Sequence, residues 1–101
     1  MPVGVREDSL LRKHKRAGIS EGYVDKDKKV FVLKIKSFRS SRYKKVYRRV
    51  FRKLRNNKTE NLVIDLRNNG GGNLENSSRL LKYLEESEQK LTLKAHVKNY
   101  P

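Results

Sequence analysis

NLVIDLRNNGGGNLENS, residues 61–77, places three of the chain's six glycines at consecutive positions. Ahead of them, LVIDL (62–66) is a short, nearly unbroken apolar run, the pattern of a strand covered on both faces. Leu62, Ile64 and Leu66 should share one face and Val63 take the other. Beyond the glycines, Leu74, Leu80, Leu81 and Leu84 fit the spacing of a helix. A strand, a glycine turn and a helix bring backbone N–H groups to the carboxyl end of a parallel sheet, where sites gather.

Working outward, VFVLKIKSF (30–38) is rich in β-branched and aromatic residues and reads as a strand. Ser40 or Ser41 is placed to cap a helix. Tyr43, Val46, Tyr47, Val50, Phe51 and Leu54 recur at offsets 0, 3, 4, 7, 8 and 11, one face of an α-helix. NNKTEN (56–61) ends it. LTLKAHV (91–97) alternates apolar and polar residues, as a strand with one solvated face does. The order is β-α-β-α-β, which with right-handed crossovers gives an α/β fold on a mostly parallel sheet. YVDKDKK (23–29) reads as a turn leading into the first strand, and residues 1–22, with RKHKRAG, as a basic, solvated arm. Residues 23–101 then form the core domain.

A chain of 101 residues holds one small domain with a modest core. It has no cysteine, which excludes disulfides and thiolate chemistry, and its two histidines, His14 and His96, lie far apart. No apolar run approaches the roughly 18 residues of a membrane span. The N-terminal residues lack the apolar core of a signal peptide. The formal net charge of +15 is uneven. Residues 1–60 carry 20 basic and 6 acidic side chains, net +14; residues 61–101 carry 6 and 5, net +1. The glycine motif thus sits in a nearly neutral half.

Three uses of the glycines compete. Dinucleotide binding needs G-x-G-x-x-G; Gly70 and Gly72 fit, but the third place is Glu75, whose carboxylate repels pyrophosphate. A phosphate-binding loop needs Gly-Lys-Ser/Thr, which is missing. A purely structural turn explains one or two glycines through positive φ, and three less well. Asp65, inside an apolar strand, needs a partner, and Arg67, two residues on, points to the same side. The third use is an oxyanion hole, in which glycine N–H groups approach a reacting carbonyl unobstructed.

Asp65, Leu66, Arg67, Asn69, Gly71 and Gly72 match the D-L-R-x-N-x-G-G signature of the C-terminal processing, or tail-specific, serine peptidases, and the chain resembles that family over roughly residues 23–97. The flanks agree: VFVLKIKSF resembles the family's strand before the motif, and YKKVYRRVFRKL its linking helix. The resemblance implies part of a core of the ClpP and crotonase class. It implies that Gly71 or Gly72 donates an oxyanion-hole N–H while Asp65, Arg67 and Asn69 shape the turn. It further implies endopeptidase chemistry on a polypeptide substrate, with a serine nucleophile and usually a lysine base, and no metal or cofactor. The family's usual setting is the cell envelope or periplasm.

In that family the nucleophile and base lie well downstream of the motif, whereas this sequence ends about thirty residues after it. No serine here has the family's S-A-S/T-A context, and the PDZ module is missing. The chain therefore reads as a partial core without its catalytic serine and lysine, inactive alone, and prone to self-association through an open sheet edge. Ser77 and Ser78 read as helix residues, and Lys82, four residues beyond Ser78, as an exposed lysine unsuited to act as a base.

The basic half supports a reading from another class. Residues 39–58 hold ten Lys or Arg and no acid, a surface suited to nucleic acid or to an anionic membrane. Tyr43, Tyr47 and Phe51, which would stack bases, fall on the apolar face and read as core. A small basic nucleic-acid-binding domain is thus the alternative, and a merely solvated helix face the plainest explanation.

Overall fold

A computed structural model describes residues 10–99. From Val30 onward the expected order is present. Strand β3 (Val30–Ile35), helix α1 (Tyr43–Asn56), strand β4 (Asn61–Asp65), helix α2 (Leu74–Lys90) and strand β5 (Lys94–Lys98) follow one another. The pairs β3·β4 and β4·β5 are parallel.

Two further strands precede them. β1 (Arg12–His14) and β2 (Ile19–Tyr23) pair antiparallel, and β2 pairs antiparallel with β3, so the sheet order is β1-β2-β3-β4-β5. Residues 12–14 and 19–22 are therefore strand, joined by a turn at 15–18, and not a solvated arm; residues 1–9 of that expected arm lie outside the described residues. The physical reason is a broken period. β1 has three residues, too few to show alternation, and β2 points Ile19 and Glu21 into the core, so a carboxylate stands where the pattern needs an apolar residue. Glu21 is 1% exposed and is matched by His14 Nε2 at 3.0 Å and Lys53 Nζ at 3.3 Å. The connecting turn ends on Gly18 at φ +68°, a hairpin signal. Gly22 marks a close approach: a Cβ there would stand 2.9 Å from the Leu10 carbonyl oxygen, because Leu10 and Leu11 cross the sheet at this point.

Both crossovers step the same way along the sheet, which puts both helices on one face. The core lies between that face and the helices. β3 contributes Phe31, Leu33 and Ile35, and β4 contributes Leu62 and Ile64. All six apolar positions of α1 are buried. Phe51 stacks on Tyr83 of α2 with ring centroids 4.8 Å apart, and Tyr47 meets the same ring edge-on at 6.5 Å. Burying each large apolar side chain contributes about 1.5–3 kcal/mol.

Leu62 and Ile64 share the helix-covered face, and Leu66 packs against the same core, as their alternation requires. The opposite face is covered only in part. Val32 is buried there beside Leu11, while Val63 is half-buried and His96 exposed. β4 is thus sealed on one face and not on both. β5 is shorter than its pattern suggested. Leu91 ends α2 and Leu93 is buried ahead of the strand, whose own residues are mostly exposed.

Helix α1 begins after Arg42, with no side-chain cap. Ser40 does not cap it. Its Oγ accepts from the Arg42 N–H at 3.0 Å and donates to the Arg16 carbonyl at 2.7 Å, fastening the β1–β2 turn to the start of the helix.

Candidate active-site turn

The residues after β4 form a turn whose parts are separately anchored. Asp65, 3% exposed, receives the Arg67 guanidinium through Nε–H to Oδ1 at 2.9 Å and Nη2–H to Oδ2 at 2.7 Å. The Arg67 backbone N–H also donates to Oδ1, at 3.1 Å. A carboxylate at the last residue of β4 thereby closes a ring over its own next two residues. Asn68 follows at φ +64°, a conformation Asn tolerates better than most residues. Asn69 then bridges two segments. Its Nδ2–H donates to the Ile35 carbonyl at the end of β3, at 2.9 Å, and its Oδ1 accepts the Gly71 N–H at 2.7 Å.

The three glycines differ. Gly70 has no positive φ, and a Cβ there would meet nothing within 4 Å. Gly71 has φ +86° and equally open surroundings. Gly72 has φ +141° and lies against Phe38 and Arg39, where a Cβ would stand 2.5 Å from the Phe38 carbonyl carbon and from the Arg39 nitrogen. Here the turn joins the chain beyond β3: Phe38 N–H donates to Gly71 O at 2.9 Å, and Asn73 N–H to Phe38 O at 3.0 Å. Between those bonds the Gly72 N–H has no partner among the described residues, and Gly72 is exposed. Of the two glycines expected to donate, Gly71 has its N–H engaged by Asn69 and Gly72 does not.

Asn73 starts α2 by accepting the Glu75 N–H at 2.7 Å, so the helix is capped directly behind the glycines. Asn76 was not anticipated from the sequence. It is fully buried; its Oδ1 accepts the Tyr47 hydroxyl at 2.7 Å, and its Nδ2 donates to the carbonyls of Phe38 at 3.1 Å and Ser40 at 3.3 Å. One side chain ties α1, α2 and the segment that Gly72 contacts. Burial pushes the Tyr47 phenol well above its ordinary range, so it remains a donor. The signal was present: Asn76 lies four residues before Leu80 on the inward stripe, a polar residue on an apolar face.

No serine Oγ among the described residues hydrogen-bonds to a lysine, histidine or carboxylate side chain. Ser77 Oγ donates to the Leu74 carbonyl at 3.0 Å. Ser78 and Lys82 are both exposed on α2. His14 is turned to Glu21, and His96 Nε2 lies 3.0 Å from Asn61 Oδ1. No group of three potential metal ligands occurs among the described residues.

The family model for peptidase family S41 matches residues 29–101, the whole unit from the start of β3 through both crossovers and the glycine turn. The chain belongs to peptidase family S41. Searches of curated proteins and of solved structures returned no match. Within this S41 unit, the signature residues Asp65, Arg67, Asn69, Gly71 and Gly72 fall together in one turn at the carboxyl end of β4.

That turn carries a pH dependence. The Arg67 hydrogen bonds hold the Asp65 carboxyl below its ordinary value, against the opposing effect of burial. A carboxyl depressed in the folded state stabilises the fold at pH values above its unfolded pKa of about 3.9, and that contribution is lost as pH falls through the folded value. Urea unfolding of the wild type and Asp65→Asn should therefore differ most above about pH 5 and converge in stronger acid. A difference that does not change with pH would show that the ion pair contributes nothing.

Proposed function

We propose that this chain supplies the oxyanion-hole turn of a serine-type endopeptidase of the C-terminal processing kind, and that it is inactive alone. The observation that carries the reading is the Gly72 N–H, which has no partner among the described residues and belongs to an exposed residue in a turn fixed on both sides. In the reaction a serine Oγ attacks the scissile carbonyl carbon and loses its proton to a base. The carbonyl π electrons move to oxygen. The resulting oxyanion accepts the Gly72 N–H, and its collapse expels the amine, which takes up the proton. Nucleophile and base come from residues other than the described serines, none of which has a base against it. A donor fixed in advance costs no reorganisation when charge develops, and one such donor is worth about 3 kcal/mol, or roughly a hundredfold in rate. Gly71 donates in the same way only if Asn69 releases it.

The site is tested by amide NMR with a product-like peptide whose terminal carboxylate mimics the oxyanion. The Gly72 amide should shift on titration while Gly70 stays in place; an unmoved Gly72 amide at millimolar peptide would remove it as a donor. Inactivity is tested with a serine-directed fluorophosphonate and an unstructured peptide substrate. No labelling and no cleavage are expected, and stoichiometric labelling of Ser77 or Ser78 would overturn the assignment.

A further inference from the structure

The basic surplus plays no part in the peptidase turn, and the fold concentrates it. The turn between β1 and β2, the residue ahead of α1 and the exposed face of α1 line a shallow, open groove that contains Lys15, Arg16, Arg42, Lys45 and Arg49. All five are exposed, and none has a salt bridge among the described residues. The groove's apolar residues, Ala17 and Val46, are buried. The nearest buried carboxylate, Glu21, is occupied by His14 and Lys53. The two sides are fixed to each other, since Ser40 Oγ at the start of α1 donates to the Arg16 carbonyl at 2.7 Å.

The arrangement is unfavourable for the isolated chain. Lys45 and Arg49 face each other at i, i+4 on α1, where like charges repel by about 0.2–0.5 kcal/mol per pair, and Arg42 stands at the residue before the helix. The first turn of α1 contains no acid, and cations there oppose the helix dipole. Rules broken locally without an internal gain point to a ligand that removes the cost.

We propose that this groove binds nucleic acid through its phosphate backbone, without reading sequence. Cations from two segments that line one open groove can meet successive phosphates. Firm membrane attachment needs apolar side chains to insert as well as charge, and the groove's own apolar residues, Ala17 and Val46, are buried. Tyr43, Tyr47 and Phe51 belong to the core, so no aromatic is left on α1 to stack or select bases. Contact is therefore electrostatic and strongly salt-dependent.

The test is fluorescence anisotropy with the 101-residue chain and a mixed-sequence duplex of about 20 base pairs across a salt series. If each groove cation meets one phosphate, log K falls against log salt with a slope of about −4.5. Lys45→Gln with Arg49→Gln should flatten the slope by about 2 and lower affinity at least roughly tenfold at low salt. Lys15→Gln with Arg16→Gln, on the opposite wall and outside any helix, should do the same. Lys26→Gln with Lys28→Gln removes equal charge at the other end of β2 and should leave the slope nearly unchanged. Equal losses in all three doubles would mean diffuse attraction and overturn the groove. So would groove variants that lose binding to phosphatidylserine vesicles but keep their hold on DNA.

Discussion

Gly72→Ala should destabilise the protein by about 2–4 kcal/mol, while Gly70→Ala two residues away should be neutral or slightly stabilising. A methyl at position 72 would stand 2.5 Å from backbone atoms of Phe38 and Arg39, which cannot rotate aside, and φ +141° is a conformation L-residues rarely adopt. Strain and overpacking each cost about 1–3 kcal/mol, against a total stability of about 5–15 kcal/mol. A methyl at position 70 meets nothing within 4 Å and reduces the freedom of the unfolded chain, worth about 0.4–1 kcal/mol. The check is thermal and urea unfolding of both variants. Equal effects would mean that the run of glycines is not divided as the contacts indicate. The contrast also explains three glycines in a row: one for fit against the neighbouring backbone, one for a left-handed turn in open space, and one that the fold itself does not require.

Asn76→Asp should cost about 3 kcal/mol or more at neutral pH with almost no change in shape. Asparagine here uses both ends of its amide, accepting from Tyr47 and donating to two carbonyls. A carboxylate keeps the first bond and turns its second oxygen toward the carbonyl oxygens of Phe38 and Ser40. That buries a charge against two acceptors. For a domain this size, each kcal/mol lowers Tm by roughly 4–8 °C. The sign with pH is opposite to that of Asp65. Burial and the facing carbonyls would raise the introduced carboxyl's pKa in the folded state, so stability returns as acid protonates it and restores a donor. Tyr47→Phe should be milder, about 1–3 kcal/mol, since it leaves one buried acceptor unmade. A wild-type Tm for Asn76→Asp at neutral pH would contradict the buried network.

These two positions show what kind of information the chain carries openly. The β-α-β-α-β order from Val30 to Lys98 was legible because apolar periods of 2 and 3.6 residues follow directly from which face is buried, and α1 buries all six residues its spacing selects. Asp65 with Arg67 was legible because both partners lie within three residues. Membership of the S41 family was legible because its signature occupies one continuous stretch. The β1–β2 hairpin was not, because Glu21 faces the core and finds Lys53 thirty-two positions away; that pairing exists only once α1 lies on the sheet. The same holds for Asn76, whose partners are 29 to 38 residues distant, and for the difference among Gly70, Gly71 and Gly72, which depends on where Phe38 and Arg39 pass. Burial patterns are written along the chain because each residue reports its own side. Polar partners and close backbone approaches belong to pairs of segments, and only the tertiary structure decides which segments meet.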